Sequence, residues 1–349
     1  MRHKNSAINE VISAEKFVDQ LLEEGSKISF KESNFSDKHV LPPFYDEELY
    51  KKGQEFFYKH IWAMFAAKFH GLLAVIAIPT VLKILIFTQK SGNNYSAYVR
   101  YMSTIFHMIV WYREDFKPGS NLWKSLAEVN NKHSYASKKS CSAGLNKISQ
   151  KDMALTQFGF MGFPLCRPEQ IGIYHATEEE LQAFTHVWRV VGYFMGIEDR
   201  FNICSGSVEE TREICNLLID KCFYPAISQR NPDFMKMSSH LCGGLWCMNP
   251  FLIHKVIMNY LYDLLQKPTN VNNNNNNTSL VKLPYFKLNI IHTMCYYLLA
   301  IALYSTRYSI FRQIFNSLHH LTIWLMETCP FLAYYSFGNT PNTIVKLKL

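Results

Sequence analysis

Hydrophobic residues recur along most of the chain at three- and four-residue spacing, which is typical of one face of an α-helix. Strand-like alternation bounded by hairpin turns is not evident. Two helical patterns, Tyr95–Tyr112 and Asn121–Ser137, flank a Lys-Pro-Gly-Ser turn whose last residue, Ser120, is a favourable helix N-cap. The pattern predicts a helical hairpin at this point and an all-α fold overall.

Two further helix starts carry the pattern of a capping box. The Thr177 side chain can accept a hydrogen bond from the backbone of Glu180, while the Glu180 carboxylate reaches back to the cap. Ser207 begins a second segment with the same arrangement. That second helix is expected to end near Tyr224, because Pro225 has no N–H to continue it.

Two apolar stretches have about the length of a membrane span. Gly71–Thr88 carries Pro79 and Lys83 in its middle, so a buried core helix with a kink is favoured over a span. Leu288–Tyr304 lies at the short limit, and for this segment the spanning and the core interpretations both remain open.

Composition restricts the class of protein. The chain has 349 residues, of which 48% are hydrophobic, and this is ample for a buried core. Its net charge of +8 is dispersed, which predicts no nucleic-acid partner and at most a weak attraction to anionic membrane surfaces. The nine cysteines form no C-x-x-C pair, which favours reduced thiols over zinc or disulfides.

A polyasparagine run divides the chain, since such a segment cannot build a packed core. We expect an N-terminal extension over 1–45, a main helical domain over 46–267, a linker over 268–280 and an apolar helical tail over 281–349. The first 40 residues lack the apolar core of a signal peptide, so an intracellular protein is expected. The tail makes association with the endoplasmic-reticulum membrane a hypothesis.

One face of the first hairpin helix combines charge with apolar surroundings. Arg100, Thr104, His107 and Trp111 follow one another at four, three and four residues. If this face is interior, the guanidinium of Arg100 needs a carboxylate opposite it, from a cofactor or an acidic residue. The alternative is a solvated polar stripe.

The second hairpin helix carries His133 three residues after Asn130 on a face with apolar neighbours. A neutral imidazole in such a place is a suitable axial ligand for haem iron, and the alternative is a histidine satisfied by its protein neighbours. The sequence contains no metalloprotease, Walker, nucleophile-elbow or Rossmann motif. It therefore gives no support to a hydrolase, a kinase or a dinucleotide-dependent enzyme. Cys242-Gly-Gly-Leu-Trp-Cys247 is interpreted as a helix-breaking loop rather than a metal fragment.

Four sequence blocks together resemble the catalytic domain of the rubber oxygenases, or latex-clearing proteins, which also occurs in the MpaB-type oxygenases bound to the endoplasmic reticulum of fungi (DUF2236). They are Arg100-x-x-x-Thr104, Val129–His133, Asp152–Phe160 and Trp188–Ile197. The resemblance covers roughly residues 60–250. From charge alone, Asp152 is expected to pair with Arg189 or Arg200 and so to tie the later blocks together.

The resemblance implies a globin-like helical core around haem b. His133 would be the proximal ligand of the iron, and Arg100 and Thr104 would lie against the haem and its propionates. Ser103 stands where the family has a distal lysine, and Val81–Thr88 contains no acid where the family has one.

These departures put rubber cleavage by the family's route in doubt, and they leave two hypotheses for function. The first is a haem-b-dependent oxygenase or peroxygenase acting on an apolar, lipid or isoprenoid-like substrate. Its pocket wall is expected from six apolar residues: Ala74, Val75, Ile76, Ile84, Leu85 and Phe87. The second is a non-catalytic haem-binding or membrane-associated helical protein.

Overall fold

The computed structural model describes residues 13–30, 40–266, 283–340, 343–347 and 349. Apart from one isolated bridge between Ser29 and Ser149, these residues form helices and loops, so the all-α prediction is confirmed. The α-helices in chain order are α1 (Ala14–Glu23), α2 (Glu47–Lys59), α3 (Ile61–Ala77), α4 (Pro79–Thr88), α5 (Asn94–Arg113), α6 (Asn121–Ser142), α7 (Gln150–Cys166), α8 (Glu178–Phe194), α9 (Val208–Leu218), α10 (Tyr224–Ser228), α11 (Pro232–Gly244), α12 (His254–Leu265), α13 (Ile290–Ser305), α14 (Ser309–Thr328) and α15 (Phe331–Phe337).

The helical hairpin and the capped helix starts form as predicted. Helices α5 and α6 are joined by the expected turn, and the Ser120 hydroxyl accepts from the backbone N–H of Trp123 at 3.2 Å. Thr177 begins α8 and Ser207 begins α9, each within a complete capping box. These caps position α8 beside α2 and α9 beside α7.

The apolar stretch Gly71–Thr88 is divided between two helices. Helix α3 ends at Ala77 and α4 begins at Pro79, where the missing proline N–H costs nothing. Most of its large apolar side chains are buried, which confirms the kinked core helix. Within the described part of the chain, no single helix has both the length and the hydropathy to cross a membrane, although α2 and α3, bent by 92°, pass together by length and composition.

The expected helix end near Tyr224 is wrong. The α-helical hydrogen bonding of α9 stops at Leu218, and a π-helical turn over Ile219–Phe223 leads directly into α10. Pro225 therefore lies in the first turn of a new helix, where it removes no hydrogen bond.

The helix-breaking loop expected at Cys242–Cys247 is also absent. Helix α11 runs through Gly244 and continues as a 3-10 turn to Cys247. The two glycines in this stretch allow close packing, because a Cβ on Gly244 would meet the Asn94 carbonyl oxygen at 2.8 Å. Helix α11 thus lies directly against the first turns of α5.

Asp152 does not pair with either predicted arginine. Its carboxylate accepts from the backbone and hydroxyl of Ser149 at the start of α7 and from the Thr80 hydroxyl. Arg189 instead forms a bidentate pair with Asp199, and Arg200 binds Glu24 and Glu198. The carboxylate therefore caps α7 and ties it to α4.

The C-terminal helices cover one side of the rest of the molecule. Helix α13 packs on α12, α14 packs on α3, and the Tyr98 hydroxyl donates to the Thr343 carbonyl at 2.7 Å. Residues 267–282 lie outside the described residues, so the predicted linker and the domain division remain predictions. Segment 288–304 does not lie in the core, because most of α13 is exposed at the surface.

Candidate functional site

Arg100 lies half-buried in the first half of α5. Among the described residues, its guanidinium makes one long hydrogen bond, 3.5 Å to the Ser91 hydroxyl, and no ion pair. It also lies 5.7 Å from the centre of the Tyr101 ring. A guanidinium in this position is able to bind an external anion.

His133 lies on α6, near enough to Arg100 for the charge of the guanidinium to act on it. Burial above all, together with the positive charges of Arg100 and Lys132, lowers the pKa of its imidazole to about 4. The buried Nδ1 atom of His133 has no hydrogen-bond partner among the described residues. His133 is therefore a neutral imidazole with a ring nitrogen that no described residue binds.

Thr104, one turn after Arg100 on α5, lies at the edge of a cavity. Its hydroxyl donates to the Arg100 carbonyl one turn earlier on α5, at 3.1 Å. Its side chain lines the cavity, whereas Arg100 and His133 do not line it. Of the three predicted site residues, Thr104 thus lines the cavity, while Arg100 and His133 lie outside its lining.

The rest of the predicted polar face of α5 binds α6 directly. The Ser125 hydroxyl lies 2.8 Å from His107 Nδ1 and accepts from Trp111 Nε1 at 2.9 Å. The Lys132 ammonium lies 3.1 Å from His107 Nε2. These side chains join the two helices of the hairpin and so fix the separation of Arg100 and His133.

The cavity has a volume of about 580 Å³ and is predominantly apolar. Helix α3 forms one wall and α5 a second, while α13 and α14 close the opposite side. The predicted wall residues Ala74, Val75 and Ile76 are buried in the core and do not line it, and neither do the predicted residues of α4. The wall is instead made by the earlier turns of α3, from Trp62 to Leu72.

Four residues around the cavity each carry a buried polar atom for which the described residues provide no hydrogen-bond partner: Lys68 Nζ, His70 Nε2, Tyr101 Oη and His319 Nε2. Most buried polar atoms in proteins are hydrogen-bonded, so these four exceptions distinguish the surroundings of the cavity from the rest of the core. Sequence reasoning missed all four.

Lys68 is enclosed by aromatic rings. Its ammonium nitrogen lies 4.3 Å from the centre of the Phe57 ring, 4.4 Å from that of Tyr112 and 5.4 Å from that of Trp188. Burial holds the pKa of Lys68 well below its usual value. The rings favour the cation weakly, but full burial without a carboxylate favours the neutral amine more strongly.

His70 is oriented like a metal-binding or ligand-binding histidine. Its Nδ1 atom lies 2.7 Å from the Ala66 carbonyl, and its buried Nε2 atom has no hydrogen-bond partner among the described residues. Burial lowers the pKa of His70 to about 4 and that of His319 to about 3. Both imidazoles are therefore neutral at physiological pH. The sequence does carry a signal for Lys68 and His70, because these two polar residues interrupt an otherwise apolar helix.

The structure is similar to that of a latex clearing protein in its closed state. The two share 11% sequence identity over 89% of each chain, with a TM-score of 0.55. No family model and no curated protein match the sequence. The similarity shows that this chain adopts the helical fold of a latex clearing protein.

Proposed function

We propose that this protein is a haem-dependent oxygenase or peroxygenase whose substrate is apolar, of a lipid or isoprenoid kind. The observation that carries the proposal is His133 on this fold: a neutral imidazole whose Nδ1 atom has no partner among the described residues, within reach of the charge of Arg100, which forms no ion pair with them. The latex clearing protein of similar fold is named for action on an apolar material.

The donor set fits haem b. Haem iron is commonly bound by a neutral imidazole, and His133 remains neutral at all pH values well above 4. Haem carries two propionates, and Arg100 would supply the charge that neutralises one of them. Thr104 would lie at the boundary between the haem and the cavity.

The remaining chemistry is divided between the cofactor and the chain. Bound haem would supply the oxidative chemistry. The chain would bind the haem through His133 and Arg100, exclude water with its apolar cavity and orient the substrate. Polar atoms of the cavity, such as Tyr101 Oη, would hold an oxygen atom of the substrate or product.

The cavity also favours a moderately sized substrate. A volume of about 580 Å³ lies within the range of small-molecule sites and accommodates a chain of a few isoprene units. A longer polymer would have to extend beyond the cavity. An intracellular location at the endoplasmic-reticulum membrane remains part of the proposal.

Absorption spectroscopy tests the haem. Wild type, His133→Ala and the control His320→Ala, which alters an exposed histidine, are produced with haem precursor. A Soret band in wild type and control that is lost or shifted in His133→Ala supports the assignment. A colourless wild type that remains colourless after haem titration removes the oxygenase hypothesis.

Turnover separates an enzyme from a carrier. Haem-loaded protein is supplied with an isoprenoid or polyunsaturated lipid under oxygen or peroxide. Consumption of the lipid, lost in His133→Ala, supports catalysis. A stable haem protein that leaves every such lipid unchanged supports the non-catalytic alternative.

A further inference from the structure

The outward sides of α13 and α14 are apolar where a water-exposed helix is normally polar. Thirteen large apolar side chains on these two helices are 45–81% exposed. We call them the outward face: Ile290, Ile291, Met294, Tyr297, Leu298, Ile301, Tyr304, Ile310, Phe311, Ile314, Leu318, Leu321 and Trp324. Their spacing follows one side of each helix, so the opposite sides pack on the protein.

The charges near the outward face are sparse and mainly positive. Helix α13 contains no charged residue, and the segment 283–337 contains three basic residues, Lys287, Arg307 and Arg312, against one acid, Glu327. Glu327 is moreover paired with Arg113, at 3.4 Å. An excess of cations beside an apolar helix face is typical of proteins that lie on anionic membranes.

The cavity reaches the surface within the outward face. Leu298 and Leu318 line the cavity, and they are also 57% and 55% exposed. Both residues are apolar, so the part of the cavity wall that reaches the surface here suits an apolar ligand. This observation favours a lipid phase over a second protein copy, because a protein docked here would close the opening.

The chain's own remaining segments do not suit this surface. Residues 1–12, 31–39 and 267–282 are mostly polar, and they include the polyasparagine run. A span is also unsuitable, since the 16 residues of α13 are about 24 Å long, shorter than the roughly 30 Å hydrocarbon core. Of the possible modes of membrane contact, binding with the helices lying in the plane of the membrane surface is the one left.

We propose that the outward face of α13 and α14 inserts in the plane of an anionic lipid bilayer, and that the cavity takes its apolar ligand from that bilayer between Leu298 and Leu318. The identity of the ligand as a substrate rests on the proposed function. The membrane contact and the route of entry do not depend on haem.

Vesicle binding tests the membrane contact. The full chain is sedimented with phosphatidylcholine vesicles, with and without 30% phosphatidylserine. We expect binding that is stronger with phosphatidylserine and at least tenfold weaker in the double variant Ile301→Glu/Leu321→Glu. The control Tyr135→Glu changes an equally exposed aromatic on α6 and should bind like wild type.

Fluorescence locates the contact. Brominated lipids should quench the emission of Trp324, which is 55% exposed, and Trp324→Phe should remove that component. Wild type that stays in the supernatant with both vesicle types overturns the proposal. So does a wild-type dimer, measured by light scattering, that Ile301→Glu/Leu321→Glu separates while vesicles fail to bind.

Transfer of a probe tests the route of entry. Diphenylhexatriene is incorporated in the vesicles, and the protein is recovered at high salt for measurement of bound probe. Leu318→Trp keeps the face apolar but narrows the opening, so the uptake of probe per vesicle-bound protein should fall severalfold. Equal uptake by wild type and Leu318→Trp overturns entry at this point. Vesicle binding and probe uptake are measured without haem and without turnover. A failure of the proposed function can therefore be distinguished from a failure of the membrane proposal.

Discussion

Gly71 of α3 lies directly against Gly159 of α7, where a Cβ on Gly71 would come within 2.1 Å of the Gly159 carbonyl oxygen. The two helices cross at this point with backbone on backbone. The residues next to this crossing, His70 and Leu72 on α3 and Phe160 on α7, line the cavity. The contact between the two glycines therefore fixes how closely these two helices approach beside the cavity.

We predict that Gly71→Ala destabilises the protein by about 3 kcal/mol, because backbone has to move to admit the methyl group. Chemical denaturation measures the change. The control Gly92→Ala should alter stability by no more than about 0.5 kcal/mol, since its Cβ would meet its nearest neighbour at 3.8 Å. Equal effects of the two substitutions would contradict the close crossing.

Replacement of the enclosed lysine should stabilise the fold. Lys68→Met keeps the length of the side chain and removes the cost of burying an amine, so we expect a gain of about 1–3 kcal/mol at pH 7. Below pH 10 the unfolded chain holds a proton that the folded chain loses, so wild-type stability rises as pH rises toward that value. The gain should therefore shrink between pH 7 and pH 9.5 in urea titrations, and a gain that stays constant would show that Lys68 is charged in the fold.

Acid should destabilise the protein through its buried histidines. The pKa of His70 is about 4 when folded and about 6.5 when unfolded, so its contribution is complete above pH 6.5 and is lost as pH falls toward 4. At pH 5 this loss is about 2 kcal/mol for His70 alone. Denaturation of His70→Leu should accordingly depend less on pH between 7 and 5 than that of wild type, and an unchanged dependence would contradict a neutral buried imidazole.

Loss of the unpaired guanidinium should weaken haem binding. A charge-assisted hydrogen bond contributes about 1.5–3 kcal/mol, so Arg100→Gln should retain haem roughly 10- to 100-fold less tightly. The rate at which each variant transfers haem to apomyoglobin measures how tightly it retains the haem. Arg113→Gln removes an exposed arginine from the same helix, and its haem loss should match wild type. If Arg100→Gln and Arg113→Gln lost haem at similar rates, the effect would come from the overall charge of the protein and not from a contact of Arg100 with haem.

Local chemistry made the hairpin predictable. Ser120, Thr177 and Ser207 cap their helices through bonds to residues three positions later, and such bonds are visible in any short window of sequence. The helix end predicted from Pro225 was wrong for a related reason. A proline can end one helix or begin another, and the π-helical turn before Pro225 has no sequence signal of its own.

The cavity could not be predicted in this way. Lys68, Tyr101 and His319 belong to three helices that are far apart in the chain, and no spacing rule connects them. Periodicity also shows that α13 has an apolar side without showing what covers it. The polar atoms around the cavity and the exposure of the C-terminal helices became visible only once the helices were packed.

The C-terminal helices pack on α12 and α3 and are held by the Tyr98–Thr343 hydrogen bond, contacts that do not involve residues 267–282. A single proteolytic cut within residues 268–279 should consequently leave a two-chain protein that stays assembled. The two pieces, produced separately, should reconstitute the cavity by complementation.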